Sequence, residues 1–158
     1  MKKKRIHYGR HNVDKSDINA VISVLQSDWL TQGPVTPMFE KSVSKYCNVK
    51  YSIATNSATS ALHIACLALG VGEGDIVWTV ANTFVASSNC ALYCGANVDF
   101  VDIDPNTYNI SVECLAEKLI EAEKIGILPK VVIPVHLCGQ SCDMADIQAL
   151  SKRYGFKI

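Results

Sequence analysis

Asn56, Ser57, Thr59 and Ser60 sit where the segment "ATNSATSALHIACLALG" (54–70) turns from small and polar to apolar. The apolar half has helical spacing, so these side chains gather at a helix N-terminus, where backbone N–H groups lack intrahelical partners and the dipole is positive. Two chemistries fit. Ser57 or Asn56 can cap the helix by accepting from its first turn. Alternatively, free N–H groups and uncharged hydroxyls hold an anion, with phosphate the natural choice. No G-x-x-x-x-G-K-[ST] occurs, and "GVGEGD" follows the helix instead of preceding it, which excludes a nucleotide P-loop and a dinucleotide fingerprint.

Other constellations are weaker. Asp102-x-Asp104 follows an apolar run, as does the metal-binding D-x-D of UDP-sugar glycosyltransferases, but "DIDPNTYN" also has the composition of a turn. His136, Cys138 and Cys142 are too few and too spread for a zinc site, and no metal is expected. His136 and Gln140 follow a strand and are candidates for an active edge; a hydrogen-bonded structural histidine is the competing reading. His63, inside the apolar helix, reads as structural. The seven cysteines contain no C-x-x-C pair. They read as small buried hydrophobes.

These residues need elements to place them. Ile18, Val21, Ile22 and Leu25 form a helical stripe with Asp14 or Ser16 near its start, and the loop "SDWLTQGP" follows. Thr36 and Pro37 predict the cap and first turn of the next helix, lined by Phe39, Val43, Tyr46 and Cys47. Strands are predicted at "YSIAT", "DIVWTV", "VDFVDI" and "KVVIPVH". Between and after them come helices at Thr59–Leu69 (closed by Gly70), Phe84–Tyr93, Val112–Lys124 and Met144–Tyr154 (closed by Gly155). Apolar strands separated by helices predict a three-layer α/β/α fold with a mostly parallel sheet. Right-handed crossovers put "ATNSATS", "VANTF", "DIDPN" and "VHLCGQ" on one edge, where open α/β sheets bind ligands. The Thr59 helix, apolar nearly all round, is expected to be buried. The natural division is a helical segment over 1–50 and a partial α/β domain over 51–158.

Composition bounds the class. Of 158 residues, 49% are hydrophobic and 19% charged, and fifteen basic residues balance fifteen acidic ones. That is globular and carries no net field toward nucleic acid or an anionic membrane, so neither is an expected partner. "MKKKRIHYGRHN" precedes no apolar stretch of signal-peptide type, and no apolar run is long enough to span a bilayer. A cytoplasmic location is expected. The closing "FKI" reads as the opening of another strand, so the chain is expected to be the N-terminal part of a larger fold.

"WLTQGP", "NSATSALHIACLALGVGEGD", "TFVASSNCALYCGANVDFVDIDPNTYNI" and "IPVHLCGQSCDM", in this order and spacing, resemble the DegT-type sugar-nucleotide aminotransferases. These are pyridoxal-phosphate (PLP) enzymes of fold type I, and the resemblance implies that the chain is the N-terminal part of their large domain. It implies that Thr59 and Ser60, with Ser57 nearby, cradle the PLP phosphate, which favours the anion reading of the helix end. Phe84 matches the aromatic residue that stacks on the cofactor ring; a core Phe is the alternative. Tyr8 and Asp28, Trp29, Leu30 and Thr31 match positions that touch the sugar nucleotide. Without the resemblance, Trp29 and Leu30 would read as loop anchors packed on the core. "DWLTQGP" with "NSATSALH" is most similar to members acting in pseudaminic acid biosynthesis on C4 of a UDP-linked 4-keto-6-deoxy-N-acetylhexosamine. A UDP-sugar, an amino-acid donor (usually glutamate) and a homodimeric partner follow from the same resemblance. The family's cofactor-bearing lysine, and the carboxylate that pairs with the ring nitrogen, match positions beyond Ile158. No catalytic residue is therefore assigned here, and the fragment alone is expected to be inactive. A non-catalytic regulatory relative of the same fold is the remaining alternative.

Overall fold

A computed structural model describes residues 9–158, so Tyr8 lies outside the described residues. The chain divides into two compact units, one reaching to Ala54 and the other spanning Thr55–Ile158.

In the first unit, α1 (Lys15–Leu25) begins with a capping box. The Asp14 carboxylate accepts from the Ser16 and Asp17 N–H groups, and Asp17 accepts from the Asp14 N–H at 2.9 Å. This satisfies donors that the first turn leaves open. Helix α2 (Val35–Cys47) starts before Thr36, not at it: Pro34 already has helical angles (φ −72°, ψ −17°), and no side chain caps the helix. Neither helix buries a residue, and the stripe Ile18, Val21, Ile22 and Leu25 is exposed.

The second unit is α3 (Ala58–Ala68), β1 (Ile76–Thr79), α4 (Ala86–Tyr93), β2 (Asn97–Phe100), α5 (Val112–Ile125), β3 (Val131–Val132) and α6 (Met144–Tyr154). The sheet is parallel in the order β2-β1-β3. Val131 also pairs in parallel with Lys157, so the "FKI" segment does lie along β3 as a strand would. Strand β1 is central. Val77 faces a core with Cys66, Cys90, Ala91 and Val131, while Trp78 and Val80 face a core with Leu115, Leu119, Val132, Ile147 and Phe156. One core thus draws on α3 and α4 and the other on α5 and α6. The sheet is covered on both faces, as parallel sheets require.

Several elements depart from the sequence reading. "YSIAT" makes no strand, because no neighbouring strand offers a ladder among the described residues. β3 stops at Val132, where Pro134, lacking an N–H, soon ends the ladder. β2 stops at Phe100; Ile103 instead forms an isolated antiparallel bridge with Ile110. Helix α4 starts at Ala86, leaving Phe84 ahead of it. Helix α3 starts at Ala58 and buries only Cys66, with Ile64, Leu67 and Leu69 exposed. A helix apolar all round buries only the side its neighbours cover, and here those are α4 and the sheet.

Candidate functional site

Because the sheet is parallel, the segments after β1, β2 and β3 leave from one edge. The end of α3 can be placed from its other terminus. Lys130, just before β3, donates to the Gly70 carbonyl and pairs with Asp75 (2.8 Å), just before β1. This fixes the C-terminus of α3 at the strands' N-terminal edge. Eleven helical residues run about 16 Å. The N-terminus of α3 therefore lies toward the C-terminal edge of the strands, the edge where Phe84 and His136 sit.

Ser57, extended at φ −161° and ψ 158°, is the cap of α3: its Oγ accepts the Ser60 N–H at 3.1 Å and lies 3.1 Å from the Ser60 Oγ. The capping reading is correct for Ser57 and Ser60. It does not consume the site. The N–H groups of Ala58 and Thr59, and the Thr59 hydroxyl, have no partner among the described residues. The first turn of α3 also carries no acidic residue. Two free backbone donors, a hydroxyl and a helix dipole form a donor set that suits a dianionic phosphate.

Phe84 is 71% exposed, although it is a large aromatic beside a core. Just ahead of it, Asn82 donates through Nδ2 to the Tyr108 carbonyl at 2.9 Å, while its buried Oδ1 has no partner. Val85, between Phe84 and α4, leads into the helix with helical backbone (φ −54°, ψ −22°) and no side-chain cap. A flat, uncovered ring on the sheet edge that the α3 N-terminus also faces is the geometry that stacking on a planar heterocycle needs. The residues present fit pyridoxal phosphate.

Beyond β3 the chain runs through a short 3-10 turn, Leu137–Gly139. His136 is exposed, and its Nδ1 accepts the Cys142 N–H at 3.1 Å; Gln140 is exposed too. Cys142 is buried and donates its thiol to the Val135 carbonyl at 3.2 Å. His136 and Cys142 are thus engaged with each other and with backbone. No group of three or more His, Cys, Asp or Glu able to hold a metal occurs among the described residues. Asp104 Oδ1 accepts from the Asn106 and Thr107 N–H groups at 2.8 and 2.7 Å. These N–H donors hold its carboxyl below the usual range. Asp102 bonds to the neighbouring Ile103 N–H. The D-x-D pair is built as a turn. His63 packs edge-on against Tyr93, with ring centroids 5.4 Å apart.

In the first unit, residues 28–31 form the bend between α1 and α2, where Trp29 (61%) and Leu30 (66%) are exposed and pack on no core. The bend is tight: a Cβ at Gly33 would sit 2.7 Å from the Trp29 Cβ.

Residues 11–158 match the DegT/DnrJ/EryC1/StrS aminotransferase family. The chain belongs to that family. Among curated relatives, it is 40% identical over 152 residues (96% of this chain, 39% of the relative) to the UDP-4-amino-4,6-dideoxy-N-acetyl-beta-L-altrosamine transaminase of Campylobacter jejuni. It is 37% identical over 155 residues (98% and 40%) to GDP-perosamine synthase of Caulobacter vibrioides. Among solved structures, a DegT DnrJ EryC1 StrS aminotransferase from Brucella abortus matches at TM-score 0.83 and 35% identity, over 88% of this chain and 38% of the other. NtdA from Bacillus subtilis, solved with bound cofactor PMP, matches at 0.79 and 38%, over 89% and 31%. The chain thus spans about two fifths of the length of the curated relatives it matches. The family is that of fold-type I PLP-dependent aminotransferases.

The sequence reading missed Asn82 and Asn109, which tie the edge loops together. Their only local signal is an asparagine inside each turn, in "VANTF" and "TYNI".

Proposed function

We propose that this chain supplies the cofactor cup and part of the sugar pocket of a PLP-dependent sugar-nucleotide aminotransferase. Its substrate is a UDP-linked 4-keto-6-deoxy-N-acetylhexosamine, aminated at C4 with glutamate as donor. The observation that carries the reading is the pair of unpartnered N–H groups at Ala58 and Thr59, on the same sheet edge as the uncovered Phe84 ring. When bound, the cofactor supplies an electron sink that lets an amino group move between donor and ketone.

The chain's own residues bind and orient. The first turn of α3 holds the phosphate through Ala58 N–H, Thr59 N–H and the Thr59 hydroxyl. Ser57 keeps that turn formed by capping Ser60. Phe84 covers one face of the ring and excludes water from it. Tyr8 and Asp28–Thr31 contact the nucleotide sugar, with Trp29 and Leu30 exposed for a ligand or a second subunit. His136 and Gln140 offer polar groups at the rim. The 158 residues alone hold no residue matching the family's cofactor-bearing lysine, so they bind without turning substrate over. The active form is a cytoplasmic homodimer. The N-terminal helices over 1–50 serve substrate binding and dimerisation, and 51–158 serves the cofactor.

The test incubates the natural gene product with PLP, 15N-glutamate and the UDP-4-keto sugar, and reads the product by mass and by 15N-coupled NMR at C4. Label at C4 supports the reading. A GDP-linked 4-keto-6-deoxyhexose is the competitor, and preference for it would overturn the UDP assignment. Label at C3, or no transfer from any amino acid, would overturn the reaction.

A further inference from the structure

We propose that Asn109 is a positioning residue that fixes the ring of His136 with Nδ1 accepting from the backbone and Nε2–H left as the donor on the sheet edge; the functional part of this inference rests on the aminotransferase reading above. Asn109 is 4% exposed, and its side chain is the centre of the 136–142 loop. Its Nδ2 donates to the Gln140 and Ser141 carbonyls, both at 3.1 Å, and its Oδ1 accepts the Leu137 N–H, also at 3.1 Å. Both amide donors and one acceptor are used. Asp has the shape but no donors, and Leu has neither.

The loop wrapped around this amide is bent. Cys138 takes a left-handed backbone (φ 53°) and Gly139 follows at φ 84°. A cysteine holds that conformation only where its surroundings over-determine it. The bend aims three backbone groups at one side chain and brings the loop's two ends together. There the Cys142 N–H meets His136 Nδ1 at 3.1 Å. A ring nitrogen that accepts cannot also carry the proton, so the neutral ring is protonated at Nε2.

Asn109 is itself held. Its carbonyl accepts from the Asp104 N–H at 2.9 Å, and the preceding Tyr108, in left-handed backbone (φ 59°), is bound through its carbonyl by Asn82. The segments following β1, β2 and β3 are therefore joined through residues 108 and 109. The consequence is that the Phe84 segment and the His136 ring share one frame. Asn109 acts through His136 and not by touching a ligand itself.

The experiment has two independent readouts on the natural gene product. The first is the pair of ring 15N shifts of His136 in 15N-histidine-labelled protein, assigned with a His136→Gln variant. In the wild type, Nδ1 is expected in the unprotonated range and Nε2 in the protonated range, and Asn109→Asp is expected to move both toward the averaged value of a free imidazole. A wild-type ring protonated at Nδ1 would overturn the proposal without any variant, even if Asn109→Asp failed to fold. The second readout is kinetic. Asn109→Asp and His136→Gln should each lower kcat/KM for the sugar about tenfold, leave PLP affinity within about twofold, and lose no more together than apart, because one acts through the other. Losses that multiply in the double variant, or a fall in PLP affinity that matches the fall in kcat/KM, would overturn it. Absence of aminotransferase activity with the Asn109-dependent ring spectrum intact would overturn the aminotransferase reading while leaving the fixed ring standing.

Discussion

Ala58→Pro separates phosphate binding from helix stability. Proline is accommodated at a first helical residue because the N–H it removes has no intrahelical partner. Here that N–H has no partner of any kind among the described residues. Proline also demands extended backbone in the residue before it, and Ser57 already has φ −161° and ψ 158°. The substitution should therefore leave the fold unharmed, or stabilise it by about 0.4–1 kcal/mol through the unfolded chain. Binding is different. A hydrogen bond to a charged group contributes about 1.5–3 kcal/mol, so losing one of the two backbone donors should weaken a bound phosphate about 10- to 150-fold. Calorimetric titration with pyridoxal 5′-phosphate and, in parallel, pyridoxal isolates the phosphate, and circular dichroism checks the helix. Equal losses for both ligands, or an unchanged phosphate affinity with the helix intact, would refute the cup.

Three further outcomes are expected. Phe84→Ala should change unfolding free energy by less than about 0.5 kcal/mol in urea titration, because the ring is exposed, yet weaken cofactor binding by about 0.5–1.5 kcal/mol of stacking. Gly33→Ala forces the Trp29 bend to shift, since the new Cβ would lie 2.7 Å from the Trp29 Cβ, and should raise KM for the sugar nucleotide with little change in PLP affinity. Burial, with Cys90 alongside, pushes the Cys66 thiol from 9.0 up to about 12. The folded state then keeps a proton that the unfolded chain gives up, so this contribution is full below pH 9.0 and is lost as pH rises from there toward about 12. Urea midpoints measured from pH 8 upward should fall less steeply in Cys66→Ala; an identical slope would contradict it.

What was legible in the sequence was what a segment decides for itself. Helix α6 runs Met144–Tyr154 with left-handed Gly155 after it, as its periodicity and terminal glycine predicted, and α5 departs by one residue. The parallel sheet followed from uninterrupted apolar runs such as "IVWT". Features that need a neighbour were not legible. "YSIAT" has the composition of a strand, but a strand exists only where a second backbone bonds to it. The apolar surface of α3 promised burial, and its exposure depends on what lies alongside. Near the candidate site, Ser57 was visible as a cap from the helix start it precedes, whereas Phe84 was singled out only by the family resemblance. Asn109 was not visible, because its bonds reach 28 to 32 residues along the chain to a loop whose shape no local pattern announces.

The placement of β3 beside β1 has a consequence in time. Thr79 Oγ1 bonds to the Ile133 carbonyl across 54 residues, and Lys130 must reach back 60 residues to close the end of α3 at Gly70. A ribosome adding about 5–20 residues per second needs roughly 3–11 s to travel from the central strand to that partner. During that interval β1 can pair only with β2, and the core-facing side of α3 has α4 but no β3 to rest on. The interval is one in which α3 and the unpaired side of β1 are open to other chains. Slowing translation after residue 100 should therefore increase aggregation of the nascent protein more than slowing it after residue 133, when the missing strand has already been made.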